Sequence, residues 1–311
     1  YNMTNFSALF DKKQMIDYSK ISDIFCLVDE FCKDFDQTTS PFLLGKPSKR
    51  PPVMSKSEII SICLLVHLSG FRCFKHFYIF YLQKHMQAEF PHTVSYNRFV
   101  ELSQSVLMPM TIFLKTCCLG QCTGISFVDS TPIRVCNNKR VKRNKVFKGI
   151  AEVGKSTMGW FYGFKLHIVI NDKGEILNFA ITQANVDDRQ PLKNENFLKA
   201  VFGKLFADKG YISEQLTKIL FVSDIHLITS IRNNMKNSLM TMNDKIMLRK
   251  RSVIETVNDE LKNICQVEHS RHRSFTNFIT NIIAGLIAYS FFPKKPSINY
   301  QTTQSNQIFA F

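Results

Sequence analysis

Residues 124–132 constrain this chain most: Ile125-Ser126-Phe127-Val128 is an apolar, β-leaning run that meets Asp129, and Ser130, Thr131 and Pro132 follow at once. Aromatic and β-branched residues favour a pleated strand, and a proline cannot donate to the ladder of a central one. The strand is therefore expected to end at Asp129 and deliver its carboxylate to a sheet edge. The same device returns where Leu205-Phe206-Ala207 runs into Asp208 and the turn residues Lys209-Gly210. A lone acid at a strand end is more often a turn or cap residue than a catalyst. Two of them in one chain change the weighing.

Between the acids, Trp160 to Ile170 and Glu175 to Thr182 are β-rich and joined by Asn171-Asp172-Lys173-Gly174, which is hairpin turn chemistry. Paired with the strand carrying Asp129 they make a three-stranded sheet. Pro191 is placed to open a helix reaching Val201, and His226 to Ile231 reads as the last strand. From Arg249 to Cys265 the pattern turns helical: Val253, Ile254, Val257, Leu261 and Ile264 share a sector about 100° wide. On the other side of that wheel Arg251, Glu255 and Lys262 fall within about 40° of one another. A solvated face with an i, i+4 ion pair would look the same and contribute only about 0.3–0.5 kcal/mol.

The formal charge of +15 over 311 residues points to a polyanionic partner, and nucleic acid comes first. An anionic membrane surface is the rival, but no basic amphipathic helix stands at a terminus and no lipidation motif is present. The apolar run from Phe278 to Phe292 is short for a membrane span and broken by Thr280, Asn281, Gly285 and Ser290; a buried helix closing the catalytic domain is the better reading. Cations concentrate after Asp129: Arg134, Lys139, Arg140, Lys142, Arg143, Lys145 and Lys148 occur with no acid between them, as a phosphate-binding stretch would. Arg271, His272 and Arg273 could likewise grip phosphates after the Glu255 helix. The nine cysteines are odd in number and form no paired Cys-x-x-Cys motifs, so they read as reduced thiols of a cytoplasmic protein. No export signal is legible, and Met3 is a candidate natural start.

Upstream, apolar spacing predicts helices over Ile21 to Phe35, Phe71 to Met86 and Val94 to Leu114, with another opened by the capping box Ser55-Lys56-Ser57-Glu58. Such a run of helices suits either a helix-turn-helix DNA-binding unit or a bundle that braces its neighbour. The expected organisation is a helical DNA-binding region over 1–120, an α/β catalytic domain over 121–292, and a disordered tail over 293–311.

Two strand-end acids and one helix-borne acid would gather three carboxylates at one end of a mixed sheet. Carboxylates that close raise one another's pKa and call for cations. Oxygen-only ligands suit Mg²⁺, with Mn²⁺ able to substitute, and two such ions about 3.5–4 Å apart can clamp the oxygens of a phosphoryl displacement. Asp187 and Asp188, which also follow a strand, compete with Asp208 for the second position.

The chain resembles bacterial insertion-sequence transposases of the DDE class, and is most similar to the insertion-sequence nine-eighty-two group. The residues that carry this are Val128-Asp129-Ser130-Thr131-Pro132, Gly159 to His167, Phe206-Ala207-Asp208-Lys209-Gly210-Tyr211, Lys250 to Glu255 and His269 to Ser274. The resemblance implies a ribonuclease-H-like mixed sheet flanked by helices, with Asp129, Asp208 and Glu255 as catalytic residues holding two Mg²⁺ ions. It further implies binding of the element's terminal inverted repeats in double-stranded DNA, cleavage that frees 3′-hydroxyls, joining to target DNA, and a homo-oligomer on DNA. The Tyr-x2-Arg-x3-Glu-x6-Lys signature of many such enzymes is matched by Arg251, Glu255 and Lys262, whereas Leu248 stands at the tyrosine position. The rivals are a host nuclease of the same fold and a catalytically silent DNA-binding derivative.

Overall fold

In a computed structural model describing residues 18–42, 52–230, 239–268, 272–298 and 308–310, the chain divides into two units, Tyr1–Cys118 with Leu261–Phe291, and Leu119–Glu260 with Phe292–Phe311. The first unit is helical. Its helix α1 (Tyr18–Thr39) packs on α2 (Lys56–Leu68). The capping box forms as the sequence predicts: Ser55 Oγ accepts from the Glu58 N–H at 3.1 Å, and Glu58 accepts from the Ser55 N–H at 2.6 Å. Helix α2 is apolar all round, so it is a core helix, with Ile60, Ile62, Leu64 and Leu65 fully buried.

The single helix expected over Val94 to Leu114 is two, α3 (Tyr96–Ser105) and α4 (Leu107–Phe113). Pro109 explains the break, because a proline is tolerated in the first turn of a helix and not in its interior. The helix Phe275–Ser290, expected to close the catalytic domain, belongs by its contacts to the first unit. There it packs on α2, and Ser103 of α3 donates to Asn277 at 3.2 Å. No helix among the described residues is long and apolar enough to cross a membrane.

The second unit is built on a mixed sheet of β1 (Ile125–Cys136), β2 (Glu152–Ser156), β3 (Gly159–Asn171), β4 (Ile176–Gln183), β5 (Gly203–Ala207) and β6 (Ile225–Thr229). Strand β3 is antiparallel to β1 on one edge and to β2 and β4 on the other, while β5 is parallel to both β1 and β6. Four strands, β1 to β4, thus pair antiparallel and two, β5 and β6, join in parallel, the mixed sheet that the sequence leads one to expect. The β3–β4 turn is closed by Asn171, whose side chain accepts from the Lys173 and Glu175 N–H groups, with Gly174 at φ 75°.

Three expectations change here. Strand β1 does not end at Asp129 but continues through Pro132 to Cys136. The reason lies in its partners: β5 covers only Ile125 to Phe127, so from residue 128 onward β1 has an open edge, the setting in which a proline is tolerated. The helix expected from Pro191 to Val201 is instead a 3-10 turn, Pro191–Lys193, and a single α-turn, Glu195–Leu198, with Asn194 capping the latter. Of the tail expected to be disordered, residues 293–298 run beside the β3–β4 turn, where the Ile298 N–H donates to the Asp172 carbonyl at 2.8 Å. Further on, β7 (Leu239–Thr241) pairs antiparallel with β8 (Ile308–Ala310).

Helix α5 (Glu214–Val222) covers one face of the sheet and closes a core that includes Val128, Val169, Leu205 and Ala207. Two consecutive helices, α6 (Met242–Lys250) and α7 (Ser252–Asp259), follow β7, and α7 packs on β1.

Candidate active site

The parallel ladder between β1 and β5 puts the first two acids side by side. Phe127 and Phe206 are register partners with stacked rings 5.5 Å apart, and Asp129 and Asp208 each stand two residues further on. Side chains alternate along extended backbone, so both acids share the face of that phenylalanine pair. Asp208 keeps this geometry past the end of β5, with φ −75° and ψ 166°.

The third acid comes from α7, whose buried Val253, Ile254 and Val257 fix one side of the helix against the unit and leave Glu255 on the other. Arg251, the residue before α7, ties the acids together. Its Nη2 lies 2.8 Å from Glu255 Oε1 and 4.0 Å from Asp208 Oδ1, so those carboxylates are no further apart than the two distances combined. Asp208 and Glu255 remain 57% and 56% exposed, while Arg251 is 18% exposed. Asn258, one turn beyond Glu255, donates from Nδ2 to Asp129 Oδ2 at 3.1 Å.

Electrostatics agree with this geometry. Burial pushes the Asp129 carboxyl up to about 6; the Ser130 N–H and Arg251 oppose the rise, and the Glu255 and Asp208 carboxylates add to it. Tyr211 is buried in the same core as Val128 of β1, and burial first, then Asp129 and Asp188, hold its phenol well above the usual tyrosine range. Sequence reasoning missed Asn258 and gave Tyr211 no role. The i, i+3 spacing from Glu255 was the available signal for Asn258.

Among the described residues no three His, Cys, Asp or Glu side chains are grouped closely enough to hold a metal. In donor chemistry, however, the residues fit a hard divalent cation. They offer oxygen donors, burial and then the neighbouring carboxylates raise the Asp129 carboxyl, and the buried amide oxygen Oδ1 of Asn258, whose Nδ2 reaches Asp129, has no hydrogen-bond partner.

The competing acids are otherwise engaged. Arg189 clasps Asp187 through Nε at 2.9 Å and Nη2 at 2.5 Å, which holds that carboxyl far below its usual range. Lys165 Nζ lies 2.9 Å from Asp188. Arg134, Lys139, Arg140, Lys142, Arg143, Lys145 and Lys148 are all exposed. Four of them lie on the 3-10 segment Asn138–Arg143, which Asn137 caps by accepting from the Lys139 N–H at 3.1 Å.

Other expected contacts differ. Lys262 pairs with Glu268 at 3.5 Å, and the helix there widens to π geometry over Glu260–Ile264, so the 100° spacing used to align it with Glu255 does not apply. His272 packs edge-on against Phe278, and burial lowers its pKa to about 4, so it offers a phosphate no cation at neutral pH. Arg273 is exposed, and Arg271 lies outside the described residues.

No curated protein matches the chain. Among solved structures, the Mos1 transposase paired-end complex with left transposon end is similar over 64% of this chain and 66% of that chain, at 12% identity and a TM-score of 0.22, a likeness on which nothing here is built. The model of the transposase DDE domain family matches residues 119–275, half of the chain. That span begins just before β1 and takes in all three acids, Arg251 and Asn258, and by it this chain belongs to the transposase DDE domain family.

Proposed function

We propose that the chain is a DNA transposase of the insertion-sequence DDE class, closest to the nine-eighty-two group, that cleaves the terminal inverted repeats of its element and joins the freed 3′-hydroxyls to target DNA. The observation that supports this most is that Arg251 reaches both Asp208 and Glu255 while Asn258, on the Glu255 helix, donates to Asp129 of β1. Asp129, Asp208 and Glu255 would hold Mg²⁺ or Mn²⁺, two ions in all, whose role is Lewis-acid stabilisation of the attacking and leaving oxygens. Asn258 orients Asp129, and Arg251 holds Glu255 and Asp208 at the centre while their charge is unmatched. The exposed cations from Arg134 to Lys148, with Arg251, Arg271 and Arg273, meet phosphates and so supply affinity rather than sequence choice. Hydrolysis frees a 3′-hydroxyl, which then attacks a target phosphodiester with no covalent protein–DNA intermediate. The helical region over 1–120 would recognise the ends, and a homo-oligomer would assemble on them in the cytoplasm.

Joining assays with pre-cleaved ends test this reading: strand transfer supports it, and hydrolysis without joining favours a host nuclease. Absence of metal-dependent nicking by the pure protein favours a silent derivative. Replacing Asn258 by Ala is expected to lower cleavage roughly 10–100-fold, as loss of an outer-shell partner does. Because a donor to the ionised carboxylate favours that form, the acid limb of the rate profile should also move to higher pH. An unchanged rate profile would remove Asn258 from the site.

A further inference from the structure

The hairpin of β2 and β3 carries a feature that phosphodiester chemistry does not use. Trp160, the chain's single tryptophan, is 62% exposed there, beside the exposed Met158 and Val153. A large apolar ring is ordinarily buried, and when displayed beside cations it makes a stacking surface for a π system. Lys155, the register partner of Trp160 across the hairpin, holds its Nζ 5.9 Å from the ring centroid.

The surroundings are built to hold this surface still. Asn138, at the start of the basic 3-10 segment, donates to the Trp160 carbonyl at 2.8 Å, so the cations are tied to the tryptophan's own backbone. The loop that follows is pinned by Tyr162, which donates to the Phe147 carbonyl at 2.8 Å, and by Gln183, which donates to the Ile150 carbonyl at 2.9 Å. Gly154 of β2 lies so close to the Ala184 carbonyl that a side chain there would collide with it. The exposed ring thus stands on a fixed hairpin among cations.

Charge selects the occupant. Residues 134–155 contain eight Lys and Arg against one acid, Glu152, and the whole chain carries +15, so a second copy would meet like charge on this face. A polyanion with exposed π faces fits instead. In a duplex the base faces are covered by their neighbours, whereas in a single strand they are open.

We propose that the β2–β3 hairpin is a binding platform for unpaired nucleotides of a DNA strand, with a base stacked on the Trp160 indole and the phosphates on the flanking cations. The proposal rests on the reading of this chain as a protein that acts on DNA, and it adds which strand state is gripped away from the acids.

Because Trp160 is the only tryptophan, emission excited at the red edge of the indole band, where the nine tyrosines absorb little, reports on this surface. Titration with an oligothymidylate of about ten nucleotides, within the usual range of single-strand sites, should quench that emission saturably. A duplex of equal length should quench it less. Trp160→Ala should weaken binding of a labelled single strand about tenfold, with Trp160→Phe restoring most of the loss and circular-dichroism melting unchanged in both. Unaltered emission at saturating oligonucleotide would overturn the proposal, as would equal affinity of wild type and Trp160→Ala, or a change of sedimentation state in place of affinity. Quenching that persists in Asp129→Asn, while cleavage also persists, would retire the catalytic reading and leave the platform standing.

Discussion

Asp129→Asn and Glu255→Gln should each reduce Mg²⁺-dependent cleavage of element ends by roughly a thousandfold or more, with end binding nearly intact. Both changes keep shape and remove charge. An amide oxygen at position 129 can still accept from Asn258, and one at position 255 can still accept from Arg251, so the contacts at 3.1 Å and 2.8 Å survive. The anionic oxygens that would hold a divalent cation do not survive. Measuring single-turnover cleavage beside a gel-shift affinity separates the two effects. Cleavage within tenfold of wild type in either variant would exclude that acid from the chemistry.

The second large effect concerns stability. The folded chain raises Asp129 from an ordinary carboxylate value to about 6, chiefly by burial. The native state therefore binds protons more readily than the unfolded state at this position, and stability falls as pH rises through the window from about 4 to about 6. Above that window the ionised, partly buried carboxylate destabilises the fold. Asp129→Asn removes the penalty, so without divalent cation it should stabilise the protein at pH 8 by roughly 1–3 kcal/mol and leave it nearly unchanged at pH 4. Chemical denaturation at the two pH values measures this. A loss of stability at pH 8 would mean that Asp129 contributes to folding as a satisfied ion rather than as a strained functional group. A catalytic carboxylate held at a cost to the fold is the usual stability–activity trade-off.

Much of the site was legible because two strands announce their acids in the same way, with an apolar run against a carboxylate, and because the Glu255 helix carries a clean apolar stripe. Position along a strand was harder to read. Pro132 looked like a terminator, and only the short reach of β5 along β1 shows why it is not. The partner of Asp129 escaped notice because an i, i+3 spacing from Glu255 does not by itself say what the side chain meets; its role follows from α7 packing on β1. Lys262 and His272 were misplaced for a related reason. Helical spacing assumes a uniform pitch and charge counting assumes exposure, and neither holds at Glu260–Ile264 or beside Phe278. The helix Phe275–Ser290 was recognised as buried, but apolar periodicity does not say against which unit it packs.

Titration of Mn²⁺ into the full-length protein, followed by electron paramagnetic resonance of the free ion, addresses the convergence of the acids most directly. Wild type should bind saturably, and Asp129→Asn, Asp208→Asn and Glu255→Gln should each weaken that binding at least about tenfold, in the range expected when a coordinating environment is disturbed. Equal Mn²⁺ binding by wild type and all three variants would contradict a cation site made by these carboxylates.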